Sequence, residues 1–471
     1  MIRIKPSIAL FIILWCFMLS APSFGQTKVT IEKAEIVNNT TVDGERVRKL
    51  YDAVLSSGDF RFMSDSAWQF LDKDEVHAFG NIQIDTPTER IWADTLIYYN
   101  ILELSKLRGR VIIEQDSTLL FGKSVDYNFA TKVGHFLDEI RLEDTDGILV
   151  ADSGIYYQNS DSAEFRGNVQ LADSAQYVEG DSLFINRETK FLRLFDNLIV
   201  IDSTNNALLT GHYLEADSTG RRYLSDDAYL RRIVTDSTTT EADTTHIFGD
   251  EIELTKQDTT SFIDAMGNVR VWSSKFSSLS DTLKYNSTTE LFRLYGDPKA
   301  WHKNIQLSGP FISVQLKDNN VENLTSYPSP FAVQEDTVTG RLNQIKGDTL
   351  SAYFTDGDIS KIDIYPNSEL LYHTKNDANE PDGAVESSSP KTILYFDKGE
   401  LVRAWMGQNQ GLFLPEYTEL SERKLAGFIW TPELRPIKPI REPLPQLPPI
   451  SADRPFELPL RFVNRTNVER Q

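Results

Sequence analysis

Aspartates followed by a hydroxyl residue recur along this chain at a spacing that could do chemistry. Asp65-Ser66, Asp94-Thr95, Asp152-Ser153 and Asp181-Ser182 share one register, in which each slot falls 29 residues after the last and Lys123-Ser124 fills the slot after Asp94. Stacked carboxylates could serve as acid and base in a polysaccharide-active β-helix, or could hold calcium. A calcium β-roll, however, repeats about every nine residues with paired glycines. One carboxylate per 29 residues is too sparse for that, and one register held over so many copies fits a strand or turn role. The six histidines (His77, His135, His212, His246, His302 and His373) are scattered, with no His-Glu-x-x-His pattern. No Gly-x-Ser-x-Gly elbow and no phosphate-binding glycine loop occurs. The residue types therefore predict no catalytic site, no metal site and no cofactor, and the chain is read as a non-enzyme.

The elements that carry these aspartates are strands. The first half-motif reads small–acidic–hydroxyl–apolar–x–aromatic, as in Ala93-Asp94-Thr95-Leu96-Ile97-Tyr98. The second reads Gly-Asn-apolar-x-apolar, as in Gly80-Asn81-Ile82-Gln83-Ile84, Gly167-Asn168-Val169-Gln170-Leu171 and Gly267-Asn268-Val269-Arg270-Val271. Apolar residues alternate with polar ones at the strand period of two. One face should be dry, and Leu96, Tyr98, Val111, Ile113, Val169, Leu171, Leu183, Val269, Val271 and Leu283 are predicted to line the interior. Gln83, Arg141, Gln170 and Arg270 should face water. Polar turns such as Asn128-Phe129-Ala130-Thr131 and Asn186-Arg187-Glu188-Thr189 are short enough for antiparallel hairpins. The fold class is therefore all-β, an elongated antiparallel stack of 29-residue hairpin repeats. A parallel β-helix is the alternative. The glycine that opens each second half-motif should mark a bend that lets one strand serve two facing sheets.

The ends are of different character. Arg3 and Lys5 precede an apolar run, and Ser23 and Gly25 sit at −3 and −1 before Gln26, the pattern of a secretory signal peptide over residues 1–25. Cys16, the one cysteine, lies within it. Residues 26–370 hold the repeats, 371–430 an insertion and terminal strands, and 431–471 a proline-rich tail expected to be extended or disordered. The stretches Thr235–Thr245 and His373–Ser389 read as exposed loops. The net charge of −21 becomes −23 when Arg3 and Lys5 are removed. So acidic a surface repels nucleic acid and anionic bilayers, so nucleic acid is not an expected partner.

The paired half-motifs, Ala-Asp-Ser/Thr-Leu-x-Tyr followed by Gly-Asn-Val-x-Val, resemble the OstA-like/LptA family over about residues 30–370. The resemblance implies an open, V-shaped β-jellyroll, one or two along the chain, whose interior shields lipid acyl chains. It implies a periplasmic carrier of lipopolysaccharide or a related lipid toward the outer membrane. The partners implied are related jellyroll domains of the inner- and outer-membrane transport complexes, or further copies of the chain stacked head to tail. Two other readings stay open on the residues alone: a structural or adhesive β-solenoid at the cell surface, and a polysaccharide-active β-helix enzyme.

Overall fold

Period-two alternation produces strands over nearly all of the computed structural model, which describes residues 28–235, 242–318, 320–439, 450–451 and 453–457. The signal peptide expected over residues 1–25 lies outside the described residues. Every strand ladder described is antiparallel, and no α-helix occurs among these residues. The hairpin-repeat reading is borne out, and the parallel β-helix is not. Contacts divide the chain into two units, residues 1–145 with 454–471, and residues 146–453.

In the first unit the strands are β1 (Thr30–Lys33), β2 (Ile36–Val42), β3 (Glu45–Ser57), β4 (Phe60–Phe70), β5 (Glu75–Asp85), β6 (Arg90–Tyr99), β7 (Leu104–Gln115), β8 (Thr118–Asn128), β9 (Val133–Phe136) and β10 (Ile140–Glu143). Strands β3 to β8 pair in chain order. The short pair β1 and β2 both lie on β3, and β9 and β10 both lie on β8. The second unit opens with β11 (Ile148–Ala151) and β12 (Ser153–Tyr157) on β13 (Ser162–Ala172). It continues through β14 (Gln176–Asn186), β15 (Phe191–Asp202), β16 (Ala207–Ala216), β17 (Arg222–Thr235), β18 (Ala242–Gln257), β19 (Thr260–Trp272) and β20 (Ser277–Asn286), again paired in order. After β20 the ladder divides. One series runs from Leu291–Tyr295 to Glu400–Gly407, the other from Lys299–His302 to Gln410–Pro415.

Most of these aspartates do not open strands, as the pattern suggests, but sit in the middle of them, whereas Asp152 falls in the one-residue break between Ile148–Ala151 and Ser153–Tyr157. Asp65 lies within Phe60–Phe70 and Asp181 within Gln176–Asn186. At that level each ladder shifts register, between Phe79 and Ile82, Trp92 and Thr95, Arg108 and Val111, Arg166 and Val169, and Met266 and Val269. A bulge bends a strand and increases its twist, so the expected bend at the glycine is found. Backbone φ values of +75° at Gly80, +74° at Gly167 and +72° at Gly267 put these glycines in the left-handed region, followed there by Asn81, Asn168 and Asn268. The hairpin turns close as their composition predicts, with Asn128 Oδ1 accepting the Thr131 N–H at 2.8 Å and Asn186 Oδ1 the Thr189 N–H at 2.8 Å.

Three expectations about loops and exposure fail. In the stretch read as a loop over Thr235–Thr245, Thr235 ends a strand that pairs with one beginning at Ala242, and residues 236–241 lie outside the described residues. His373–Ser389 is not a loop: Ser368–Lys375 and Pro381–Ser389 pair as strands, with His373 and Ala384 buried. The reason lies in the following chain. Leu420, Leu425, Phe428 and Trp430 pack over Phe331, Val333, Leu371 and Ala384, so these strands are covered on their outer face and do not need an alternating pattern. Gln83 and Arg141, expected in water, are 1 % and 8 % exposed. The outer face of β6 to β8 carries Trp92, Ile112 and Phe121, and Phe456 packs against them. Arg454 beside it bonds Glu143 at 2.8 Å.

The tail beyond Thr431 forms no strand among the described residues, yet Arg435 in it donates to Ser277 Oγ at 3.3 Å and to the Lys303 carbonyl at 2.6 Å, and the strap before it, residues 420–431, is held in place. Gln306 accepts the Thr431 N–H at 2.9 Å and donates to the Ile429 carbonyl at 3.1 Å. Gln344 likewise accepts the Leu425 N–H at 2.9 Å and donates to the Arg423 carbonyl at 3.1 Å. Each buried amide thus gives the strap the donor and acceptor that a neighbouring strand would supply.

Candidate functional site: a dry interior and a seam

The repeated aspartate owes its place to the corner. Asp65 Oδ2 accepts from Asn81 Nδ2 at 2.7 Å, Asp152 from Asn168 at 2.8 Å, Asp181 from Asn197 at 2.8 Å and Asp250 from Asn268 at 2.9 Å. A Cβ on Gly80 would lie 2.6 Å from Asp65 Oδ2, and one on Gly167 2.3 Å from Asp152 Oδ2. The aspartate therefore lies against the bare backbone of the next strand and grips its asparagine. Where the second residue is Arg110, the pair becomes ionic: Asp94 accepts the Arg110 N–H at 2.9 Å and its guanidinium at 2.7 Å. The Arg110 hydrogen bonds hold the Asp94 carboxyl below the usual carboxylate range. Where the aspartate slot holds Lys123, the partner slot holds Glu139, 2.9 Å away. These carboxylates are occupied in holding corners.

The corners bring inward-facing side chains of both halves of each strand into one core. Nine of the ten residues predicted to line the interior are at most 2 % exposed: Leu96, Tyr98, Val111 and Ile113 in the first unit, and Val169, Leu183, Val269, Val271 and Leu283 in the second. Leu171 alone keeps partial exposure. In the first unit they sit on β6 and β7, where Leu96 faces Leu107 and Ile91 faces Ile113 across the ladder. In the second unit they sit on β13, β14, β19 and β20, where Leu183 faces Phe165 and Leu283 faces Ala265. The face is dry, and it is filled by the protein's own side chains.

A feature with no counterpart in the repeat pattern lies in the first unit. Turns at opposite ends of the hairpins meet there. An 11-residue strand spans about 35 Å when straight, so its two ends approach only because of the bend. Phe60, after the β3–β4 turn, stacks on Phe129, after β8, with centroids 4.4 Å apart. Ser57 Oγ donates to Asn100 Oδ1 at 3.0 Å, and Tyr127 Oη donates to Glu89 Oε2 at 2.6 Å. These contacts form a seam beside a cleft of about 410 Å³. Phe60, Tyr98, Tyr127 and Phe129 supply its aromatic wall, and Asp59, Glu89, Glu103 and Lys132 its charges. Glu89 is 6 % exposed, and burial pushes its carboxyl above the usual range. Burial also carries the Tyr98 phenol up to about 12, with Glu103 and Asp74 adding to the shift. The sequence holds only a weak trace of this site, a glutamate placed in a proline turn, Pro87-Thr88-Glu89, next to a strand.

No curated protein matches the chain. Residues 26–179, about a third of the sequence, match the family model described as OstA-like protein, so that segment is similar to the family that its paired half-motifs suggest.

Proposed function

We propose that the protein is an exported, periplasmic carrier that shields the acyl chains of lipopolysaccharide or a related lipid inside its bent β-sheet. The observation that supports this most is the largely apolar inner face, repeated strand after strand in both units, together with the OstA-like match. The recurring carboxylates are engaged at the corners by asparagine side chains, which favours a binding role over acid–base chemistry. Loading requires the packed inner face to part. A dozen methylenes at about 0.8 kcal/mol each supply on the order of 10 kcal/mol, comparable with the cost of separating several buried side chains.

Partner jellyroll domains, or further copies of this chain, would join by strand addition at the sheet ends. Among the described residues, strands Glu400–Gly407 and Gln410–Pro415 each have one neighbour, and they leave Val402, Trp405, Leu412 and Phe413 between 45 % and 62 % exposed. An unpaired edge with exposed apolar side chains is a ready template for another strand.

A second reading, a structural β-body without cargo, draws on the same close packing of the interior. One experiment separates the two. Photo-crosslinking residues at Val111 and Leu183 should capture a lipid identifiable by mass spectrometry, and one at exposed Arg270 should not. Equal labelling at all three, or no lipid on the purified protein, leaves the structural reading in place.

A further inference from the structure

The seam cleft has the chemistry of a site for a compact organic cation. Its wall is aromatic, and ring faces attract ammonium groups through their quadrupole, most strongly where water is excluded. Its charges are unbalanced: Asp59, Glu89 and Glu103 stand against Lys132 alone, so an anion is repelled and an acyl chain would bury charge. The decisive group is Glu89. One carboxyl oxygen takes the Tyr127 hydroxyl at 2.6 Å, while Oε1 is buried without a hydrogen-bond partner. An unpaired buried acceptor is costly to keep, and nothing in the corner clasps or in the packing of the interior calls for a carboxyl at this place. A volume of about 410 Å³ accepts a small headgroup and excludes a folded peptide.

We propose that this cleft binds an alkylammonium group, primary or quaternary, with Glu89 as its counter-ion and the rings of Phe60, Tyr98, Tyr127 and Phe129 as its walls. The proposal stands apart from the carrier reading. The ammonium could belong to a free amine or to a lipid headgroup, and the two sources are distinguishable. Protonation of Glu89 competes with the ligand, so affinity falls as pH falls. Lys132 favours the Glu89 carboxylate but occupies the ligand's charge space, while Asp59 and Glu103 add to the attraction.

Isothermal titration of the purified full chain tests it with four probes: butylammonium, its neutral analogue 1-butanol, and the short-chain lipids dihexanoylphosphatidylethanolamine and dihexanoylphosphatidylglycerol. Butylammonium should bind saturably, at least about tenfold more tightly than butanol, as a desolvated ion pair requires. Glu89→Gln, which keeps an acceptor for Tyr127, should lose that margin. Lys132→Met should tighten binding several-fold, and it keeps the test decisive if the Glu89 variant fails to fold. Tighter binding of the ethanolamine lipid than of butylammonium assigns the source to a headgroup, and equal binding assigns it to free amines. Butanol or the glycerol lipid binding as well as butylammonium, no saturable binding, or affinity unchanged in both variants would overturn the proposal.

Discussion

At the scale of the residue, the aspartate–glycine–asparagine corner explains a pattern that first reads as possible acid–base chemistry. Asp152 sits 2.3 Å from where a Cβ on Gly167 would be, and the same glycine has φ +74°. Gly167→Ala therefore meets two penalties, a left-handed backbone worth about 1–2 kcal/mol and a steric clash. Gly220 has φ +84° and nothing within 4 Å of the place a Cβ would take, so Gly220→Ala meets the first alone. Urea unfolding should place Gly167→Ala about 1–2 kcal/mol below Gly220→Ala. In an Asp152→Gly background the difference should close, since the whole side chain, including the Cβ that would stand 2.9 Å away, is gone. Equal costs in the wild-type background would mean that the corner does not depend on this contact. The spacing was legible in the sequence, down to Lys123 in the aspartate slot, though not its charge-swapped partner Glu139. What it meant was not, because a contact 16 residues apart is visible only once the two strands are known to lie antiparallel and bent.

At the scale of the element, strand identity and inner face follow from the period-two alternation, whereas strand boundaries do not. A bulge interrupts the alternation at the corner, so one bent strand of 11 residues reads as two short ones with an aspartate at the start of the second. The outer face was less legible. Gln306 and Gln344 look like ordinary outward polar positions, and Phe428 and Trp430, which pack over the sheet, stand in a segment with no strand alternation to place them. The strap gives an element-level prediction. Gln344→Leu removes the acceptor of the Leu425 N–H and the donor to the Arg423 carbonyl, a loss of about 1–3 kcal/mol confined to the strap. Limited trypsin digestion should then cut faster at Arg423 and Lys424, with amide exchange in β13 to β19 unchanged. Global unfolding would show that the strap is part of the cooperative core. The free edges give another. Val402→Asp with Leu412→Asp should reduce any self-association or binding to a partner jellyroll seen by light scattering, without lowering the thermal midpoint. Association that survives both changes would place the contact elsewhere.

At the scale of the whole molecule, the two units should respond to acid with opposite sign. His302 and His373 belong to the second unit, and burial pushes both below the ordinary imidazole value, His373 to about 4. His302 lies between the Lys275 and Gly357 carbonyls, at 2.7 and 3.1 Å, and desolvation outweighs both. A histidine depressed in the folded state contributes stability that is present above 6.5 and is lost as pH falls through its folded value, because the unfolded chain takes up the proton first. Glu89 belongs to the first unit and is raised by burial from 4.5. Its contribution is full below 4.5 and is lost as pH rises through the folded value, because the folded state is then the one that holds the proton. Carboxylates depressed by partners, such as Asp94, Asp202 and Asp336, titrate below 3.8 and stay charged through the mildly acidic range. Peptide-resolved hydrogen exchange at about pH 7 and about pH 5, corrected for intrinsic rates, should therefore show protection falling in residues 146–435 and holding or rising in residues 28–145. His373→Phe should flatten the response of the second unit and leave the first alone, and Glu89→Gln should do the converse. A loss of protection shared by both units, unaffected by either substitution, would show that general charge repulsion governs acid stability and not these buried groups.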